Sequence, residues 1–299
     1  MSEPAFTLKA TGRLRRRQLV NQAMGVLALA AALLAVAVLA IVVISVARRG
    51  AGSLNLDFFT QSQAAGYNAK GGGVLFAIVG TFVLVGIASL IALPLGVLTA
   101  IYISELAPPR LARIGRMALD ITNGIPTIVV GIFVFTILVA ANSQLHLGQS
   151  AFAGSIALAI IMLPLIARST EEVLLLIPPA QRQASLALGV SRWRTTVQVV
   201  IPSAMGGILT GTTLAIARVA GETAPLLFLT SLGVSSHADA NPFHPLSSLT
   251  LVIFEYSEQA SPDYQSKAWG VAFILMCFVL FTSLTAKLAL ARYRKKLEG

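Results

Sequence analysis

A chain of 299 residues with 11% charged and 56% hydrophobic side chains and a mean hydropathy of +0.81 is too apolar for a soluble globular domain, where about a quarter of residues are charged. The formal net charge of +10 would suggest nucleic acid as a partner of a soluble chain; here the placement of the basic residues accounts for it, and nucleic acid is excluded. The single cysteine, Cys277, rules out a disulfide framework, and His146, His237 and His244 lack metal-ligand spacing.

In chain order, residues 1–22 form a basic segment with Lys9, Arg13, Arg15, Arg16 and Arg17, and an uncharged run covers 20–47. That run is longer than the roughly 7 to 15 apolar residues of a signal-peptide core, so it reads as a retained first span, and 23–70 as that span with its outer connection. Residues 71–104 are again uncharged; the second span is placed at 74–101, with Pro94 marking a kink. Arg110, Arg113 and Arg116 follow Glu105 at helical spacing on an expected interfacial helix. Apolar runs at 124–141 and 151–167 supply two further spans, and a polar stretch covers 168–202. A fifth span at 204–231 precedes an outer connection, 232–267, with Asp239, Glu255, Glu258 and Asp263; a sixth span at 268–290 leads to a basic tail, 291–299. The expected architecture is an all-α polytopic membrane protein with six transmembrane helices, its transmembrane domain spanning 71–290.

Orientation follows from Lys and Arg. Most of the 22 fall in the N-terminal segment, the 102–123 and 168–202 connectors and the tail, whereas Arg48, Arg49, Lys70 and Lys267 fall on the other side. Both ends and these connectors are therefore expected in the cytoplasm. Gly71-Gly72-Gly73 leads into a span without the lysine of a phosphate loop, so the chain does not hydrolyse ATP by that route.

Two full charges, Arg218 and Glu222, fall inside the fifth apolar run. A charge near the centre of a span costs about 2.5 to 3.5 kcal/mol on insertion scales, so it reads as functional and paired. The i, i+4 spacing predicts that the two meet on one helix face until an anion competes for the guanidinium. Gly221 and Pro225 mark a place where this helix opens. Thr81 and Thr127 either line a pathway or bond their own helix carbonyls.

The connector Arg182-Gln183-Ala184-Ser185-Leu186-Ala187-Leu188-Gly189, followed by Val190 to Pro202, resembles the conserved cytoplasmic loop of ABC-importer permeases: Glu-Ala-Ala, three residues, Gly, nine residues, Ile, any residue, Leu, Pro. Gln183 stands for the motif's Glu and Ser185 for its second Ala, which leaves a charge contact there open. A short helix ended by Gly189, with Trp193 as a large anchor, suits docking on a partner. Leu163-Pro164 with Arg168 and Glu171-Glu172, Gly124-Ile125-Pro126-Thr127-Ile128, and Arg218 to Leu227 narrow the resemblance to the PstA-type permease family of bacterial phosphate ABC importers, with Val219 in place of an Ala. These motifs cover about 71–231; the remainder matches in layout only.

The resemblance implies a type I ABC importer permease fold in the bacterial cytoplasmic (inner) membrane, moving inorganic phosphate inward by alternating access. It implies translocation roles for Arg218, Glu222 and Arg168, and ATPase coupling through Arg182, Gln183, Ala184, Ser185, Gly189, Trp193 and Pro202. It further implies three partners, a homologous PstC-type permease, a PstB-type ATPase and an extracytoplasmic PstS-type phosphate-binding protein, all at the lipid membrane. ATP and Mg would sit on the ATPase, with no cofactor on this chain. Two alternatives stay open: a permease for another oxyanion such as sulfate or molybdate, and a self-sufficient secondary anion transporter or channel.

Overall fold

Every element in the computed structural model is a helix, and the structure describes residues 12–62, 72–140, 148–230 and 238–298. Lys9, Lys70 and residues 231–237, which open the expected outer connection, lie outside the described residues. The chain divides into two units, 1–49 and 50–299. The first consists of one helix, α1 (Arg13–Ala51), whose apolar sequence continues without a breaker between Arg17 and Arg48. At 1.5 Å per residue it is more than long enough to cross roughly 30 Å of hydrocarbon.

In the second unit, Asn55 caps the short α2 (Leu56–Thr60) by accepting from the Phe58 backbone N–H at 2.7 Å. Then α3 (Leu75–Ile101) runs through Pro94 into a π-helical turn, Tyr102–Leu106. The amphipathic α4 (Pro109–Gly124) carries the arginines of the basic connector and is followed by α5 (Thr127–Val134) and another π turn, Phe135–Val139. Next come α6 (Ala151–Leu175), α7 (Pro179–Ala187), α8 (Arg192–Thr195) with a π turn at Thr196–Val200, and α9 (Ile201–Ala220). The chain ends in α10 (Leu226–Leu229), α11 (Leu249–Glu258) and α12 (Pro262–Glu298).

Among the described residues, 5 helices are long and apolar enough to cross a membrane, and a sixth span arises if α4 and α5, bent by 95°, count as one. Within the expected apolar run at 124–141, helix covers Thr127–Val139. Pro126 bars the preceding Ile125 from helical conformation, Ile125 is extended, and the chain turns there. The helix bearing Arg110, Arg113 and Arg116 is amphipathic, and it packs on α6.

The core lies between α3 and α6, where Leu84, Ala88 and Ala92 meet Leu158, Met162 and Ile166. Small residues bring backbones close, which is what association inside lipid relies on. Gly207 and Gly211 of α9 face Val173 and Ser169 of α6, so a Cβ at either glycine would collide with those side chains. A second apolar cluster joins Phe58, Val74 and Phe76 to Leu249, Val252 and Tyr256. The expected outer connection therefore holds a packed helix: α11 begins where Ser248 caps the Leu251 N–H and Thr81 accepts from the Leu249 N–H at 2.9 Å. Thr81 also donates to the Ala77 carbonyl at 2.8 Å, so it bonds its own helix and positions α11 at once.

Candidate functional site: an arginine-lined cavity and a candidate coupling loop

Beyond Pro164, α6 places Leu165, Arg168, Ser169 and Glu172 on one face, since residues three and four apart stack along a helix. On α9 the same spacing aligns Gly211, Leu214, Ala215 and Arg218. These two faces and Asn123, from the end of α4, line one cavity of about 330 Å³. Arg168 and Arg218, far apart in sequence, thus share a cavity wall.

The two arginines differ in their surroundings. Arg168 bonds Glu171 at 3.0 Å and reaches Asp120 of α4 at 3.4 Å. Glu171, 1% exposed, also pairs with Arg116 of α4. A carboxylate buried this deeply is tolerated because two guanidiniums neutralise it, and the cluster ties α4 to α6 beside the cavity. Among the described residues, Arg218 has no ion-pair partner.

The predicted pairing of Arg218 with Glu222 on one helix face does not occur. The α9 helix ends at Ala220, Gly221 caps it, and Glu222 lies beyond the last helical turn, so the i, i+4 geometry is lost. Instead, the Glu222 backbone carbonyl accepts from the Thr250 hydroxyl at 3.0 Å, fastening the break to the start of α11. Pro225 is buried and precedes α10, so Gly221 and Pro225 bracket the interruption. Arg218 consequently sits in the last turn of a broken helix, beside the cavity.

The coupling loop is built from α7, α8 and the turn between them. Gly189 adopts φ 78, a left-handed conformation that glycine takes without strain, while the Gly189 and Val190 N–H groups bond the Leu186 and Ser185 carbonyls. Ser185 is buried and its hydroxyl lies 2.9 Å from that of Thr195, which locks α7 to α8. Gln183 and Ala184 are exposed, as are Leu188 at 85% and Trp193 at 56%, so this loop presents apolar side chains outward. Pro202 follows directly on the π turn Thr196–Val200, in a helix that is continuous from Arg192 to Ala220. Arg182 points the other way, toward Glu105.

Sequence reasoning did not single out Glu105, Arg116, Asn123, Asp120, Ser169 or Glu171 as functional. The arginines of the basic connector and the Glu171-Glu172 pair were visible as charges, but the pairing of Glu171 with Arg116 and of Glu105 with Arg182 joins helices distant in sequence. The cavity lining brings two guanidiniums, a hydroxyl, an amide and the Glu172 carboxylate together with the apolar Leu165, Leu214 and Ala215.

Comparison with known proteins gives the same architecture. The chain is 42% identical over 218 residues to the phosphate transport system permease protein PstA 1 of Mycobacterium tuberculosis (strain CDC 1551 / Oshkosh), covering 72% of this chain and 69% of that protein. It is 38% identical over 281 residues to the phosphate transport system permease protein PstA of Xylella fastidiosa (strain Temecula1 / ATCC 700964), covering 93% and 95%. Its fold is similar to a chain of a bacterial alginate ABC transporter crystallised with an alginate pentasaccharide-bound periplasmic protein, with TM-score 0.61 and 13% identity over 94% of this chain and 96% of that one. The family model for binding-protein-dependent transport system inner membrane components matches residues 92–295, and the chain belongs to that family of ABC-transporter permeases.

Proposed function

We propose that this chain is one permease subunit of an ATP-driven importer of inorganic phosphate. The observation that carries the reading is the shared cavity: Arg218, without an ionic partner among the described residues, and Arg168, whose charge is partly spent on Glu171 and Asp120, face the same space with Ser169 and Asn123. Similarity to phosphate permeases along most of the chain supports phosphate over another oxyanion. In this reading Arg218 contacts the anion in transit, Arg168 supplies a second guanidinium, and Glu222 fastens the helix break next to Arg218 through its backbone carbonyl.

The chain contributes half of a pathway. A homologous PstC-type permease supplies the other half, a PstB-type ATPase binds ATP and Mg and docks on the exposed Leu188 and Trp193 surface, and an extracytoplasmic PstS-type protein delivers phosphate. ATP binding draws the coupling loops together and the helices around Arg218 switch exposure, which is alternating access. Both termini and the α7–α8 loop are cytoplasmic in the inner membrane, consistent with the bias of Lys and Arg.

Affinity purification from mild detergent, followed by identification of bound proteins, tests this assembly. Recovery of an ATPase and a second, related permease is expected. Recovery of this chain alone, under conditions that keep a known importer intact, would favour a self-sufficient transporter.

A further inference from the structure

We propose that Glu105 and Arg182 form the brace through which motion of the coupling helix reaches the helices lining the cavity; this rests on the reading of the chain as an ATP-coupled subunit. Arg182 projects from α7 into the protein. Its Nη2 and Nε donate to the two carboxylate oxygens of Glu105 at 2.7 and 3.2 Å. Its Nη1 donates to the Ile177 carbonyl at 2.6 Å, and Nη2 also to the Leu174 carbonyl at 2.8 Å.

Those bonds join three elements. Arg182 belongs to the coupling helix, Glu105 to the π turn that follows α3, Leu174 to the last turn of α6, and Ile177 to the segment just past its C-cap, Leu176. An exposed ion pair would transmit little, because solvent screens it and long side chains reorient. Here the fork geometry fixes orientation, and the Arg182 and Glu105 side chains are only 22% and 10% exposed. Arg168, Ser169 and Glu172 stand within two helical turns of the braced Leu174 carbonyl on the same helix, so a shift of α7 is delivered to the cavity wall through α6 and, in parallel, to α3.

A cavity of about 180 Å³, lined by Glu105, Arg182, Leu186, Arg192, Thr195 and Thr196, opens beside the pair. Interiors packed to normal density resist sliding, and this space lets the loop shift against the end of α3 without overpacking. Glu105 is a positioning residue in this scheme and touches no substrate.

The test uses the complete importer complex in liposomes, measuring phosphate taken up per ATP hydrolysed. Glu105→Gln retains an acceptor for Arg182 but loses the charge and one arm of the fork, and it leaves the two carbonyl bonds that cap α6. The expected result is an assembled complex whose ATPase rate stays within about two-fold of wild type while uptake per ATP falls about 10-fold. Glu105→Asp, which keeps the charge, is expected to recover at least about a third of the wild-type ratio. An unchanged ratio in Glu105→Gln, a proportionate fall of uptake and ATPase, or failure of that variant to assemble would overturn the brace, the last by showing a role in folding. A wild-type complex without ATP-driven phosphate uptake would instead remove the importer reading and the brace with it.

Discussion

Arg168 and Arg218 face one cavity from two different helices, yet only Arg168 is held by carboxylates among the described residues. This division gives the pair unequal tasks. The Arg168 guanidinium is held by Glu171 and Asp120, whereas Arg218 has no ion-pair partner among the described residues; in the proposed function it is the one that meets the incoming anion.

Arg218→Lys keeps the charge but loses the planar fork, and Arg218→Gln loses both. Charge-assisted hydrogen bonds contribute about 1.5 to 3 kcal/mol, so phosphate uptake is expected to fall about 10-fold in the first variant and about 100-fold in the second. Undiminished uptake in both variants would remove Arg218 from translocation.

Glu171 is the buried anchor of the α4–α6 contact. Replacing it with Gln leaves Arg116 without its carboxylate and Arg168 with only the longer contact to Asp120, at a cost of about 3 kcal/mol, near the low end for a broken buried pair because both arginines are partly exposed. A lower melting temperature of the purified chain and a smaller yield of assembled complex are expected. Wild-type thermal stability would show that solvent compensates the two arginines fully.

At Gly207, even Ala brings a Cβ into the Val173 side chain, which is stiff because it branches at Cβ. Gly207→Ala is expected to destabilise the α6–α9 contact by about 1 to 3 kcal/mol, and adding Val173→Ala should recover most of it. Additive losses in the double variant would mean that the two positions do not collide.

The outer segment before α11 carries its own clip. His244 Nδ1 lies 2.5 Å from Asp239 Oδ2, and the Asn241 N–H donates to Asp239 Oδ1 at 2.9 Å. These bonds, that from His244 foremost, hold the Asp239 carboxyl below its ordinary value of 3.8. Because the folded value is depressed, the carboxylate's contribution is present above the ordinary range and disappears as pH falls through the folded value. Near neutral pH, Asp239→Asn is therefore expected to speed hydrogen exchange at Asn241 and its neighbours, and unchanged exchange would show that the clip does not order this segment.

The exposed apolar side chains of the coupling loop predict a docking contact. Trp193→Ala is expected to weaken ATPase binding by about 2 kcal/mol, roughly 30-fold, as for a buried aromatic anchor, without altering the melting temperature of the isolated chain. Equal retention of the ATPase by the variant would move the docking surface elsewhere.

Isolated chemistry was legible in the sequence, and tertiary pairing was not. Arg218 stood out because a charge inside an apolar run has few structural excuses, and Gly189 because a left-handed helix end favours glycine. The break after Ala220 was foreshadowed by Gly221 and Pro225, but the spacing of Arg218 and Glu222 was read as though the helix continued between them. The α11 helix escaped notice because Leu249–Glu258 is too short to span a membrane and lies among acidic residues; Thr81, far upstream, helps to fix where it starts. The apolar run read from the sequence begins at Gly124, beside the bend at Ile125-Pro126, but nothing in the sequence showed that α4 and α5 meet there at 95°.

The most direct test of the central claim is uptake of radiolabelled phosphate by liposomes holding this chain with its second permease, ATPase and binding protein. Uptake should require ATP inside the system, and unlabelled phosphate should compete while sulfate and molybdate do not. Uptake that proceeds on an ion gradient without ATP, or that sulfate or molybdate suppress as well as phosphate does, would contradict the account.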